Sequence, residues 1–192
     1  MTENAEKKDL RVIKTIRIIK ETFKNLILEK NYEKITIKEL TDRAEINKKT
    51  FYRYYNSLDD LLLETQNEFS KEYIESVKMY ELPNDLEKIN REFYLFSKKH
   101  GEFFEKITCD INYNYIRQKM INNVMNSTWE YSEKLKNLSE YEKNILFSYI
   151  QAASISIYKQ WVKDKKKISL DKIIELSNNL LCRGVFSLFK KS

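Results

Sequence analysis

Two glycines, Gly101 and Gly184, and one proline, Pro83, punctuate 192 residues. Hairpins and irregular loops draw heavily on both residue types, which supply left-handed backbone and fixed turns. So few of them imply an all-α protein with short connections. Apolar residues make up 42% of the chain, enough for a core, and they recur at helical spacing. Val12, Ile13, Ile16, Ile19, Phe23, Leu26 and Ile27 mark a first long helix from about Leu10 to Glu29. Residues 1–8 precede it as a polar, flexible arm. Beyond residue 57, helices are expected over about 58–80, 85–99, 102–109, 112–136, 140–164 and 170–190, with a break at Pro83-Asn84-Asp85.

Residues 36–63, TIKELTDRAEINKKTFYRYYNSLDDLLL, carry three helix starts in close succession. Thr36 with Glu39 has the spacing of a capping box, and Ser57 with Asp60 repeats it. Asn47 between them is a good N-cap for a helix that opens Lys48-Lys49-Thr50. Ile37, Leu40 and Ala44 share one face of the first short helix. Phe51, with Tyr54 or Tyr55, would face inward from the second. No acid lies between Ile46 and Leu58, whereas Lys48, Lys49 and Arg53 are basic. The second helix thus points cations and free backbone N–H groups at whatever lies beyond its start, an arrangement suited to phosphate. Two short helices about a tight turn, the second with a basic front, are how a helix-turn-helix DNA reader looks in sequence.

This stretch resembles the TetR family of bacterial transcriptional regulators. The matching residues are Thr36-Ile37-Lys38-Glu39-Leu40, Ala44-Glu45-Ile46, Lys49-Thr50-Phe51-Tyr52-Arg53-Tyr54-Tyr55 and Asp59-Asp60-Leu61-Leu62. The family pattern spans roughly residues 10 to 65. The later segment SYIQAASISIYKQWVKDKKKISLDKIIELSNNLL resembles the C-terminal pattern of a subgroup that includes DhaS-like regulators. The resemblance implies a three-helix DNA-binding head over residues 9–56 and a larger helical regulatory and dimerisation body over 57–192. It also implies a homodimer reading a near-palindromic operator in double-stranded DNA. Carried onto matching positions, Lys38 reaches a base or phosphate, and Lys48 and Lys49 lead the recognition helix beside the Asn47 cap. Thr36, Thr50, Tyr52 and Tyr54 are hydroxyl donors to phosphate, and Arg53 either joins them or pairs with Asp42 or Glu45. Arg11, Lys14 and Arg17 sit where members of the family approach the backbone of DNA. Two positions depart from the pattern. Glu45 stands where the family has glycine in the turn, and Leu58 where it often has a phosphate-contacting lysine.

The resemblance further implies a repressor whose effector binds the body and changes the spacing of two heads. A DhaS-like activator working through a protein partner is the alternative. Phe93, Phe96, Phe103, Phe104, Tyr115, Met120, Trp129 and Tyr149 are the candidate lining of an effector pocket, and an aromatic lining favours a flat or apolar ligand. The final two helices are the dimerisation candidates. Ile145, Leu146, Tyr149, Ala153, Ile157 and Trp161 form a stripe on one, and Ile173, Ile174, Leu181, Val185 and Leu188, with Gly184, on the other. Ala152, Ala153, Ser156 and Gly184 permit close backbone approach.

Other classes of function find little footing. His100 is the only histidine, no phosphate-cradling glycine loop exists, and Cys109 and Cys182 stand far apart without neighbouring ligands. Neither catalysis, a cofactor nor a structural metal is expected, and the cysteines read as reduced, buried thiols. No apolar run is long enough for a membrane span and the N-terminus reads as no signal peptide, so a cytoplasmic protein is expected. The net charge of +6 favours an anionic partner. Residues 1–60 hold 14 lysines and arginines against 11 acids, so the local charge of the reader says more than the total.

Overall fold

The computed structural model describes residues 2–129 and 132–189, with side chains described for 10–115, 117–129 and 132–186. Among these residues it contains eight α-helices, three short 3-10 turns and no strand. The helices are α1 (Thr2–Glu29), α2 (Ile37–Arg43), α3 (Lys48–Tyr52), α4 (Leu58–Val77), α5 (Leu86–Cys109), α6 (Asn114–Trp129), α7 (Glu140–Lys163) and α8 (Leu170–Phe189). They fall into two compact units, Met1–Asn67 and Glu68–Ser192. The boundary lies inside α4 rather than between residues 56 and 57, because the first turns of α4 give Leu61 and Leu62 to the core of the first unit. Helix α1 runs back to Thr2, well before Leu10. Glu, Ala and Lys in that segment are good helix formers, and the helix adds them without a break.

In the first unit, Ile19, Phe23, Leu26 and Ile27 of α1 are buried with Leu40, Ala44, Phe51 and Tyr55. The i, i+4, i+7, i+8 spacing on α1 is what presents them together. Ile13, expected on this face, is exposed and belongs to the part of α1 that runs past the core. Ion pairs fasten the helices around the core. Lys20 meets Glu64 at 2.5 Å, Lys30 meets Glu39 at 2.6 Å, and Arg43 reaches both Glu29 and Glu39.

The second unit packs α5 against α7 and α8. One cluster joins Tyr73, Leu86, Phe96, Phe104, Trp129, Ile150, Leu181 and Val185, and another joins Tyr94, Tyr158, Trp161, Ile173 and Ile174. Several buried polar groups are paired between segments. The Asn90 amide donates to Ser177 and Asn178, the Tyr73 hydroxyl to the Ile89 carbonyl, and the Trp161 indole to the Ile168 carbonyl. The expected gap between residues 99 and 102 appears as a kink in α5. Gly101 has φ +60° and ψ −147°, a backbone that other residues adopt only under strain.

The helix expected over 112–136 is described from Asn114 to Trp129 and has ended by Ser132. The chain resumes in a 3-10 turn at Glu133–Asn137, where the Ser132 hydroxyl donates to the Leu82 carbonyl. Helix α7 starts with the full capping box read from its sequence. Ser139 accepts from the Glu142 N–H, and the Glu142 carboxylate accepts from the Ser139 N–H. The Ser139 hydroxyl also donates to that carboxylate at 2.7 Å, and this bond first, with the one from the Ser139 N–H, holds the Glu142 carboxyl below its ordinary range. Ser139→Ala is expected to cost about 1 kcal/mol and to lower the melting temperature by about 2–4 °C, as read by thermal unfolding.

Candidate functional site

The reader is built from its caps. The Thr36 hydroxyl accepts from the Glu39 N–H at 3.2 Å and so starts α2. The second half of that capping box does not form, because the Glu39 carboxylate is occupied by Lys30 and Arg43. Those two cations, Lys30 first, pull the Glu39 carboxyl below its ordinary range. Asn47 caps α3 by accepting from the Lys49 N–H at 2.9 Å. Ser57 accepts from the Asp60 N–H and starts α4, while Asp60 reaches back to the Asn56 N–H.

Between α2 and α3 the chain turns at Glu45, which has φ 52°. The turn keeps the left-handed geometry, and Glu45 takes it despite its side chain, at a cost on the order of 1 kcal/mol. The Ile46 N–H closes this turn onto the Thr41 carbonyl at 3.0 Å. Inside, Phe51 is fully buried and stacks obliquely on Tyr55, 5.7 Å between ring centroids. Of the two tyrosines considered, Tyr55 is the anchor and Tyr54 is only half-buried.

The cations of this unit sort into two kinds. Lys20, Lys30 and Arg43 are spent in ion pairs with acids of the same unit. Lys38, Lys48, Lys49 and Arg53 are exposed, and none of the ion pairs among the described residues includes them. Arg53 pairs with neither Asp42 nor Glu45. Tyr52 is 54% exposed, edge-on to Phe51. Thr36 and Asn47 are exposed and Thr50 is half-buried. Thr36 uses its oxygen lone pair for the cap, which leaves the O–H free to donate. A capped pair of short helices therefore presents four uncommitted cations and several hydroxyls, with no acid on α3.

Residues 19–65 match the family pattern described as "Bacterial regulatory proteins, tetR family". Over this stretch the chain carries a TetR-family reader. It is a DNA-binding transcriptional regulator. A relative from Lactococcus lactis subsp. lactis (strain IL1403), described as the HTH-type dhaKLM operon transcriptional activator DhaS, is 25% identical over 171 residues, spanning 87% of this chain and 88% of the relative. Among solved structures, a TetR transcriptional regulator from Streptococcus agalactiae 2603V superposes with a TM-score of 0.71 at 16% identity, over 92% of this chain and 98% of that one. The fatty acid degradation regulator FadR from Bacillus halodurans superposes with a TM-score of 0.65 at 15% identity, over 88% and 94% of the two chains. Both structures share the fold across nearly the whole length.

In the body, the second unit holds a partly open cavity of about 120 Å³. Phe93, Phe96, Phe104, Met120 and Trp129 line it, five of the eight residues singled out in the sequence. The other three are corrected by their directions on the helices. Phe103 is buried but turned one position from Phe104, and it packs on Phe69. Tyr115 is 73% exposed, with the Lys119 ammonium 4.8 Å from its ring centroid. Tyr149 lies on the outer side of α7 and donates to the Leu180 carbonyl at 3.0 Å. Sequence reasoning missed Leu86, Ile89 and Thr108 of α5 and Ile150 of α7 as lining residues. The i, i+3 and i+7 spacing of Leu86, Ile89 and Phe93 was the available signal.

Of the expected dimer stripes, Ile145 and Tyr149 are exposed and most of the other residues are not. Leu146, Trp161, Leu181 and Val185 are buried within the protomer. Ala153 and Ile157 are half-buried beside them. Leu188 lies outside the residues whose side chains are described. The free apolar face is formed by Tyr141, Ile145 and Tyr149 on α7, with Leu176 and Leu180 on α8. Ile145 is 72% exposed and Leu180 56%. Gly184 serves a contact within the protomer, since a Cβ there would lie 3.0 Å from the Tyr149 hydroxyl.

The cysteines carry no reactive signature. Burial pushes the Cys109 thiol up to about 11 and the Cys182 thiol up to about 12. At pH 7 the Cys109 thiolate fraction is then on the order of one in ten thousand. Maleimide labelling of native protein at that pH is expected to run roughly a hundredfold slower than labelling in urea, as followed by intact mass. Among the described residues no helix is long and apolar enough to cross a membrane.

Proposed function

We propose that this regulator works in the cytoplasm as a homodimer that reads a near-palindromic operator, and that a small ligand held in the body retunes its affinity for DNA. The observation that carries the reading is the set of uncommitted cations on the reader: Lys38, Lys48, Lys49 and Arg53 are exposed, while the neighbouring Lys30 and Arg43 are neutralised within the unit. Phosphate and base-edge contacts need the first kind. Lys48 and Lys49 open α3, where base edges are read, and Thr36, Thr50, Tyr52 and Tyr54 supply hydroxyls for phosphate. Asn47 holds α3 in place by its cap.

The exposed face of Ile145, Tyr149, Leu176 and Leu180 supports a two-fold pairing of α7 and α8 with those of a second copy. Symmetric pairing makes the two half-sites of the operator inverted repeats set by helical-turn spacing. The cavity supports a ligand-responsive repressor. A ligand can shift the equilibrium only as far as it favours one state of the protein over another, so the effector must bind the free and operator-bound dimers unequally.

One observation favours a second reading. The Lactococcus relative, matching over 87% of this chain, is named a transcriptional activator. Selection of bound sequences from random duplex DNA at near-physiological salt tests the first reading. It is expected to return an inverted repeat, and recovery of unrelated sequences at background level would remove it. A reporter placed behind the recovered repeat then gives the sign. Reporter output that falls when the regulator is expressed supports a repressor, and output that rises supports the activator.

A further inference from the structure

We infer that the body cavity takes an uncharged, largely hydrocarbon molecule of about benzene size carrying one hydroxyl or carbonyl, and that the Thr108 hydroxyl is the group that recognises that polar atom. The inference deepens the ligand-responsive reading above and rests on it for its biological meaning, though not for its test.

Size comes first. The cavity measures about 120 Å³, close to engineered apolar cavities that admit benzene. A guest of on the order of six to ten non-hydrogen atoms fills such a space. Charge comes next. No Asp, Glu, Lys, Arg or His is among the residues described as lining it. An ionised guest would leave water and find no counter-charge, which is strongly unfavourable.

Polarity then fixes the position of the functional group. Several polar side chains line the cavity, and three of them are already spent. Asn90 gives its amide to Ser177 and Asn178, Gln151 is bonded to Asn122 and Gln118, and Thr128 donates to the Val124 carbonyl. Thr108, in the last turns of α5, is different. It is 1% exposed, it lines the cavity, and its buried hydroxyl has no hydrogen-bond partner. A threonine on a helix ordinarily satisfies its hydroxyl by bonding back to a carbonyl one turn earlier, as Thr65 does to Leu61 here. An unmade hydrogen bond in a buried site is costly, and a guest with an oxygen at this position removes the cost. The aromatic walls, Phe93, Phe96 and Phe104, favour a flat body for the same guest.

Four probes of one shape separate these claims: toluene, benzyl alcohol, benzoate and benzylammonium, titrated calorimetrically into the full-length protein without DNA. Toluene and benzyl alcohol are expected to bind, and the two ions to bind at least about tenfold more weakly. Thr108→Val keeps the shape and removes the hydroxyl. It is expected to weaken benzyl alcohol by roughly fivefold and to leave toluene unchanged. The proposal is overturned if the ions bind as well as the alcohol, if Thr108→Val affects toluene and alcohol equally or neither, or if no probe binds the wild-type protein. Because DNA is absent from the titration, probe binding by a protein that recovers no operator would leave this inference standing and remove the proposed function instead.

Discussion

Alanine at Lys48 is expected to weaken operator binding by about thirtyfold to twenty-five-thousandfold. The range follows from about 1–3 kcal/mol for one specific contact, taken twice because a symmetric dimer presents two copies of Lys48. The residue is exposed at the first position of α3 and is absent from the ion pairs of its unit. Its whole charge is therefore available to DNA. Lys30→Ala and Arg43→Ala are the controls, since both cations are already neutralised by Glu39 and Glu29. They should change affinity by less than about fivefold, the scale of an exposed ion pair.

Titrating each variant on the operator and on random duplex at several salt concentrations separates reading from neutralisation. A base-reading Lys48 loses affinity on the operator alone. A phosphate-bound Lys48 loses it on both DNAs and lowers the slope of log affinity against log salt by about 2, close to one released counterion per protomer. Wild-type affinity in Lys48→Ala on both DNAs would remove α3 as the reading helix.

The reader was legible in the sequence because its determinants are local. Thr36, Asn47 and Ser57 act on N–H groups two or three residues away, and such spacing survives without knowledge of the fold. Even there, tertiary contacts overrode one detail. Glu39 has the spacing to close a capping box but is drawn off by Lys30, nine residues away, and by Arg43. Glu45 shows the opposite case, in which the surrounding turn imposes φ 52° on a residue that disfavours it. Glycine is absent, yet the closing bond from Ile46 to Thr41 is kept.

The body was legible as helices but not as surfaces. Periodicity reports that a helix has an apolar face, and it does not report what covers that face. On α8, Leu180 and Leu181 are identical in kind and adjacent in sequence, yet one is 56% exposed and the other 1%. Phe103 and Phe104 are both buried, and only the second lines the cavity. The cavity itself is a mismatch among six segments of chain, and no single segment records it. Helix α6 shows a further limit. The sequence offers helix formers through residue 136, but the Ser132 bond to the Leu82 carbonyl ties the chain to a segment 50 residues away.

The same contrast yields the second large effect. Leu180→Glu is expected to convert the regulator to a monomer and to lower operator affinity by about 10²–10⁴-fold, the usual gain from linking two binding modules. Leu180 sits at the centre of the exposed stripe between Leu176 and Gly184, opposite Ile145 and Tyr149 of α7. On a two-fold axis the introduced carboxylate meets its own copy, and each loses water without gaining a partner. The side chain contributes little to the protomer core, so far-ultraviolet circular dichroism should remain that of wild type. Leu181→Glu is the counterpart one residue on. It places the same charge among Leu146, Ile150 and Val185 and should unfold the body. Sedimentation gives the mass, circular dichroism the fold, and operator titration the affinity. A Leu180→Glu protein that remains a dimer with wild-type affinity would move the pairing surface elsewhere. A folded Leu181→Glu protein that becomes monomeric would instead restore the stripe drawn from sequence.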